Sequence, residues 1–586
     1  MRVEYAVAAS TPGGAQVTLA SSRRRIDPVE LAVLAAFAAV SVWVLALDLW
    51  QVVAHGLVWT GTDGFFVIDQ LQYLAWIRDA SHHLLASNLF VLRPTPADYF
   101  QPAVVISGLI SALGVAPWLS LLLWKPVAVL GTFCAVRAFA YRTLEGRSQR
   151  HAALALGLFF GSFSIVYGQF GVVGDLFPGF LSWGYPFGLL ALAAMLASLL
   201  SYARARGEGA RAAIPALPAV LGALASSLHP WQGEVLIVTL VLTELAAWGL
   251  RSGRAGRRLG AWRGARLGGT GWRGTPRWRD LDPRARRRLK LLALTVGATA
   301  VPLIYYGLLG RLDVSWGLAR EASRHNFSFW TVLLAIAPLA IPAALGYRVR
   351  AKGFLAIATR VWPIAALVVY LLSASELSAT PLHAFEGITV PLAVLAVSGL
   401  KQAGWRRLPR SQLLGVLAVA AATVPATVYE LSVAHEFMGP TAGNPNFITR
   451  DERAALQYLS KNRERGGVLT RFYLGSVVPA RTGRRTFVGN CLWSEPRCTP
   501  RAQIVQQLFD GNLLPAVARY FVQQTGARFI LTDCQSPPHM SAMLAPLILS
   551  IHQFGCSSVY ELDAPGAPYG PLAESPLHAA VRAPWR

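Results

Sequence analysis

Long apolar runs alternate with short polar ones along most of the chain. An apolar stretch of about 17 to 25 residues is the length that crosses a hydrocarbon core as a helix. Eleven such runs can be marked, at 29–50, 118–141, 152–169, 184–203, 212–229, 231–250, 290–309, 328–346, 354–373, 386–400 and 413–430. The expected fold class is therefore a polytopic α-helical membrane protein with about 11 transmembrane helices. Residues 102–141 admit two spans, or one span preceded by a short apolar helix at the outer interface. After residue 430 the pattern changes to short apolar runs between turn residues and caps, which predicts a small C-terminal α/β domain. There Thr449-Arg-Asp-Glu452 has the form of a capping box opening a helix to about Arg463. Thr499-Pro500 reads as another helix start, with Gln503 closing its box, and 468–472, 528–533 and 559–562 read as strands.

Composition agrees with the pattern. With 54% hydrophobic and 14% charged residues in 586, and a mean hydropathy of +0.42, a soluble globule is excluded. The net charge of +24 would suggest a nucleic-acid partner in a soluble protein. In a membrane protein, cytoplasmic retention of basic residues explains it first, and no nucleic acid is expected. Residues 251–290 carry 14 basic and 2 acidic residues, half of the net charge, which marks one cytoplasmic loop facing anionic lipid headgroups. With the N-terminus inside, the clusters Arg142/Arg147/Arg150, Arg204/Arg206/Arg211, Arg348/Arg350/Lys352 and Lys401/Arg406/Arg407/Arg410 also fall inside. This holds only if 102–141 is a single span, so one span is preferred.

The expected organisation is a cytoplasmic tail 1–28, a membrane domain 29–430 with an outer loop 51–117 and a basic loop 251–289, an extracytoplasmic domain 431–563, and a flexible tail 564–586. No small-residue cleavage site follows the first apolar run, so it is read as an uncleaved anchor. Cys134 lies in a predicted span, whereas Cys491, Cys498, Cys534 and Cys556 lie in the outer domain. An even set in an oxidising compartment suggests Cys491–Cys498 and Cys534–Cys556 disulfides, although four cysteines allow three connectivities. Their spacings are not those of a zinc finger or ribbon.

Candidate chemistry concentrates in 62–102, which holds Asp63, Asp69, Asp79, His82, His83 and Asp98 in a chain where charge is scarce. If 69–85 is helical, Asp69, Gln72, Tyr73, Trp76, Asp79 and His83 share one face. Leu71, Leu74, Ile77, Leu84 and Leu85 would lie opposite, as in an amphipathic helix at the membrane surface. Aromatic rings beside carboxylates suit a sugar, the rings stacking on its apolar face while a carboxylate deprotonates an attacking hydroxyl. A solvated juxtamembrane helix is the bland alternative. Asp175, in a loop of interleaved glycines and aromatics, is a second acid candidate. Arg320 and Arg324 are candidates for a lipid-linked phosphate. His229 and Glu234 in one outer turn, with His383 and Glu386 in another, would enclose a polar cavity if these loops converge on Asp69. Lys125, near the outer end of its span, is expected to snorkel, and Glu244 is the main isolated intramembrane acid. Arg471, Tyr473, Arg481, Arg484 and Arg485 form a basic, aromatic set, either an acceptor platform or a fold-stabilising group. No phosphate loop or dinucleotide fingerprint is present.

The order of a cytoplasmic N-terminus, first span, long outer loop with an early aspartate, further spans and an outer C-terminal domain resembles the GT-C superfamily of membrane glycosyltransferases. Within it the chain is similar to a group of bacterial membrane proteins with a D-x-x-x-Y-L-A segment, here Asp69, Tyr73, Leu74 and Ala75. His229-Pro230, His383-Ala384-Phe385-Glu386-Gly387 with Pro391, Tyr473-Leu474-Gly475, Pro479-Ala480 and Thr482-Gly483-Arg484-Arg485 match as well. The resemblance implies an inverting transfer of a hexosyl or pentosyl group from a polyprenyl-phosphate-linked donor to a glycan, lipid or protein acceptor. It implies Asp69 as catalytic base, with Asp175 as a possible second acid from the next outer loop, and a bacterial plasma membrane as the location. The sequence departs from the better-known pattern in lacking an Asp-Asp, Glu-Asp or Asp-x-Asp pair, so a divalent cation, Mg2+ or Mn2+, stays open as cofactor. Asp63, Tyr73, Trp76, Asp79, His83, His229, Arg320, Arg324, His383 and Glu386 are the substrate-binding candidates. A lipid or polysaccharide transporter and a non-catalytic assembly protein of the cell envelope are the rival classes; no internal repeat of the kind transporters show is visible.

Overall fold

The computed structural model describes residues 27–163, 176–207, 214–263, 282–323, 329–374, 381–402, 411–537 and 540–563. The first helix, Pro28–His55, shows how local sequence sets an element. Asp27 caps it by accepting the Val29 N–H at 3.1 Å, Pro28 supplies a preset φ, and Gly56 ends it in the left-handed region. Among the described residues, nine helices are long and apolar enough to cross a membrane. They are Pro28–His55, Pro117–Thr143, Pro186–Arg206, Pro230–Gly249, Pro283–Leu312, Phe329–Gly346, Phe354–Ser373, Pro381–Gln402 and Leu413–Phe437. The chain is a multi-pass membrane protein.

Two of the eleven expected spans take a different form. The run at 212–229 is the 12-residue helix Leu217–Leu228, which rises only about 18 Å. Its end follows from Pro230, whose ring disfavours helical geometry in the preceding residue; His229 is extended at φ −152°. The run at 152–169 is helical over Arg147–Phe159, and residues 164–175 lie outside the described part. The last membrane helix continues past residue 430 to Phe437. Pro102–Ala112 is a separate short apolar helix before the single long run Pro117–Thr143. The basic stretch 251–290 is helical to Arg263, and 264–281 lie outside the described residues.

The segment Pro381–Gln402 forms the centre of the bundle, with 89% of its span buried. Its close neighbour is Phe329–Gly346. A Cβ on Gly399 would lie 2.3 Å from the Pro342 carbonyl oxygen, and one on Gly346 would lie 2.3 Å from that of Leu395. Small residues thus let the two backbones touch, the packing mode available where lipid removes the hydrophobic drive. Large apolar side chains such as Val53, Val301, Trp330 and Ile341 face outward, as a lipid-facing surface requires. Glu244, the isolated intramembrane acid, is paired with Arg206, whose Nη2 donates at 3.0 Å, and accepts from the Tyr202 hydroxyl at 3.0 Å.

The C-terminal part forms a four-stranded sheet from β3 (Val468–Thr470), β4 (Phe529–Thr532), β5 (Ile548–Phe554) and β6 (Ser557–Leu562), preceded by β2 (Phe447–Ile448). Its order is β3-β4-β6-β5, with β3 and β4 parallel and the other pairs antiparallel. The Thr449–Glu452 capping box is present in both directions, at 3.1 and 2.7 Å, and opens Arg450–Lys461. The helix expected from Thr499-Pro500 instead begins at Cys498, because Arg497 breaks the preceding chain at φ +69° and acts as its cap. Phe472, expected in a strand, begins the helix Phe472–Thr482. The bonds are Cys491–Cys498 and Cys534–Cys556.

This unit is joined to the loop that follows the first helix. β1 (Val58–Trp59) pairs antiparallel with β2, and Phe472–Thr482 packs on the loop helix Val67–His83. The arginines read from sequence as a basic edge are used up in the junction and in the unit itself. Arg471 is buried between Asp533 and Asp510, each at 2.6 Å. Arg484 donates to the carbonyls of Leu459, Asn462, Glu464 and Gly466. Arg485 holds the carbonyls of Asn88 and Arg93, and Arg481 that of Trp59. Burying a guanidinium is tolerable when its fork is filled in this way. The acceptor-platform reading of these residues is thereby replaced by the fold-stabilising one.

Candidate active site

The loop helix Val67–His83 carries Asp69 in its first turn. What fixes that turn is the preceding segment. Gln70 closes back on it, its Nε2 donating to the carbonyls of Asp63 at 2.6 Å and Gly184 at 2.8 Å while its Oε1 accepts the Asp63 N–H. Gly64, at φ +87°, donates its N–H to Asp48 Oδ2 at 3.0 Å. A Cβ on Gly184 would stand 2.3 Å from both the Asp63 oxygen and Gln70 Nε2, so no side chain fits there. Lys125, expected to snorkel, is instead buried, paired with the Asp63 carboxylate and donating to the Ser182 carbonyl at 2.9 Å. Two buried opposite charges are cheaper together than either is alone, and this ties the loop to the second long span.

Asp69 itself has an accessible side chain in this clamped turn. Yet surrounding protein strips enough water from it to push its pKa up to about 6, against the attraction of nearby His383. Accessibility and desolvation together describe a carboxylate on the wall of a recess. One helical turn on, Tyr73 stands near Tyr185, and burial with neighbouring carboxylates keeps both phenols neutral. Tyr185 stands in the turn before Pro186–Arg206, its ring 5.7 Å from that of His229.

His229, His383 and Glu386 meet beside these tyrosines. His383 Nδ1 lies 2.8 Å from Glu386 Oε1, and His229 Nδ1 lies 3.2 Å from Glu386 Oε2. Gln232 donates to Glu386 Oε2 at 3.3 Å. The extended His229-Pro230 step and the turn Pro381–Phe385 set these side chains at the ends of their helices. Gly188 keeps the approach open, because a Cβ there would meet the Tyr185 ring at 2.5 Å and lie 3.6 Å from Glu386 Oε2.

The remaining candidates are dispersed. Asp63 is occupied by Lys125. Trp76 is buried among Tyr99, Trp316 and Trp493, with centroids 4.4, 5.9 and 5.1 Å away, a cluster joining the loop to the C-terminal unit. Asp79 accepts the Ser87 N–H at 2.7 Å and its hydroxyl at 2.8 Å, and so closes a loop. His83 is 62% exposed. Thus the loop helix is buried on nearly all sides, and the face predicted to be polar and solvated is mostly an internal one. Arg320 is half-buried on the short helix Val314–Ala322, while Asp175 and Arg324 lie outside the described residues. Tyr185 and Gln232 were not singled out from sequence; only their place beside Pro186 and His229-Pro230 hinted at them. In the first loop Asp63 is paired with Lys125, so it does not join Asp69 in the oxygen-rich cradle that Mg2+ takes.

No family model matches the chain, and no curated protein matches it. Among solved structures, the chain is similar to the oligosaccharyltransferase of Archaeoglobus fulgidus. The crystal structure tethered through a disulfide to an acceptor peptide with the NVT sequon matches at a TM-score of 0.50 and 14% identity, over 91% of this chain and 74% of the other. The same enzyme, AglB, with an inhibitory peptide and a dolichol-phosphate matches at 0.49 and 14%, over 86% and 69%. Its complex with Zn and sulfate matches at 0.48 and 14%, over 87% and 69%. The likeness is one of fold.

Proposed function

We propose that this chain is an inverting membrane glycosyltransferase that moves a sugar from a polyprenyl-phosphate-linked donor to an acceptor at the extracytoplasmic face, with Asp69 as the base. The observation that carries this reading is Asp69: an accessible carboxylate, raised to a pKa of about 6, held in a clamped turn beside Tyr73, Tyr185 and His383. The fold shared with an archaeal oligosaccharyltransferase supports the class of reaction. The lining aromatics and the apolar helices on which the site rests suit a lipid-linked sugar.

In the proposed step, the acceptor's nucleophilic atom attacks the anomeric carbon from the face opposite the phosphate. The C–O bond to the phosphate breaks, its electron pair leaves with the lipid phosphate, and Asp69 takes the acceptor's proton. A base poised near 6 is ionised at neutral pH yet basic enough to accept that proton. Tyr73 and Tyr185, held neutral, serve as hydrogen-bond donors to sugar or phosphate oxygens. The reading further assigns the C-terminal unit and the first loop to the outer face of a bacterial plasma membrane.

Asp69→Asn tests the base. The variant, purified in nanodiscs with unchanged elution and disulfides, is expected to lose transfer from a radiolabelled polyprenyl-phosphate sugar by roughly 10²–10⁴-fold. Normal transfer by that variant would sink the mechanism. A wild type that binds the donor without turnover would favour the non-catalytic assembly class.

A further inference from the structure

Two imidazoles and a carboxylate converge where three helix ends meet, and we infer that His229, His383 and Glu386 form a binding site for a transition-metal dication of the zinc class. One ligand atom from each residue lies within 4.8 Å of the others. Glu386 faces both rings at once, one oxygen 2.8 Å from His383 Nδ1 and the other 3.2 Å from His229 Nδ1. It is 1% exposed and has no Lys or Arg partner among the described residues. A carboxylate so deeply buried requires a positive partner or a proton.

The second observation is His229. It is 2% exposed, and neither of its ring nitrogens makes a hydrogen bond among the described residues. The nearby Gln232 Oε1 is likewise buried without one. Buried imidazoles are ordinarily satisfied, and a ring with both nitrogens idle beside a carboxylate and a second imidazole is a ligand set. Two nitrogens and one oxygen suit Zn2+, Mn2+, Fe2+ or Co2+ better than Mg2+ or Ca2+, which take oxygen. Three protein ligands leave at least one position open. The Gln232 amide, donating to Glu386 Oε2, would orient the carboxylate from behind.

This site differs from a carboxylate cradle in the first loop, and its occupancy does not depend on the transferase reading, since metal is measured without donor or acceptor. His383 lies within electrostatic reach of Asp69, so an ion held here would add positive charge near that carboxylate.

The test uses the untagged full-length chain in detergent, prepared without chelator. Metal analysis is expected to give about one equivalent of a transition metal per chain. After EDTA treatment, Co2+ should restore one equivalent with the visible ligand-field bands of a four- or five-coordinate ion, and Zn2+ but not Mg2+ should raise Tm. His383→Ala, at the most accessible ligand, and Glu386→Gln should abolish the Co2+ bands, while Gln232→Ala should weaken Zn2+ roughly 10–100-fold. Asp69→Asn should keep the bands unchanged, which separates loss of the ion from loss of the base. Wild type that is folded but binds no Co2+ overturns the proposal. So do unchanged bands in both His383→Ala and Glu386→Gln, or loss of the bands in Asp69→Asn, which would move the ion to the loop aspartate.

Discussion

At the scale of single residues, Asp69 and Lys125 show opposite ways of living with burial. Desolvation raises the Asp69 pKa to about 6, so its proton is lost in the folded protein later than in the unfolded chain. If the carboxylate is the base, transfer falls as pH drops through about 6, and a profile of kcat/KM against pH is expected to show an ascending limb there. Among the groups around it, His383 pulls the limb down, while Tyr73 and Tyr185 stay neutral. The linkage has the opposite sign for stability. A raised carboxylate pKa contributes stability that is fully present below the unfolded value near 4 and lost as pH rises through about 6. Asp69→Asn should therefore have a Tm at pH 8 equal to or above wild type, measured by scanning fluorimetry; a clear fall would make Asp69 a structural residue. Lys125 is costly to remove, because Asp63 would be left buried and unpaired. Lys125→Met is expected to destabilise by roughly 3–5 kcal/mol, and the double variant with Asp63→Asn by less than that.

At the scale of elements, the loop helix Val67–His83 was legible in the sequence to within two residues at each end. Its faces were not, because a period-3.6 reading knows which residues align but not what packs on them. Gln72 and Trp76, on the face expected to be polar, are buried under the C-terminal unit; Asn490 donates to Gln72 Oε1 at 3.0 Å and Trp493 lies against Trp76. The clamp at the start of this helix is likewise tertiary. Gly184 comes from another loop, its carbonyl accepts from Gln70 Nε2, and a Cβ there would stand 2.3 Å from Asp63 and Gln70 atoms. Gly184→Ala should push the Asp69 turn out of place and reduce kcat/KM by on the order of 10²-fold, with a smaller effect on Tm. Retained kcat/KM would show that the turn does not position the reacting group.

At the scale of the whole molecule, the β1–β2 ribbon, the Arg481–Trp59 contact and the packing of Phe472–Thr482 on the loop helix put the first loop and the C-terminal unit on the same side. The charge bias of the short loops predicts the extracytoplasmic side. Alkaline phosphatase fused after Asp563 is expected to be active, and a fluorescent protein fused there to be dark; the reverse pattern would invert the topology and remove the outer site. Two short outer motifs, His229-Pro230 and His383 to Glu386, could be marked as polar groups at span ends. Their meeting with Tyr185 could not, since those residues are brought together by helix packing across more than 150 residues of chain.

The sequence by itself determined that this chain spans a membrane many times, which of its polar intervals lie together, and where the C-terminal unit begins to alternate helix and strand. Those properties follow from local periodicity, proline and capping residues, and the cost of placing charge in lipid. Only the tertiary structure decided which charges are paired within the fold and which are left accessible. Asp63, Asp79 and the arginines at 471, 481, 484 and 485 found partners, while Asp69 kept an accessible carboxylate and His229 an unsatisfied ring. Burial and partnership are properties of packing, and no spacing along the chain encodes them.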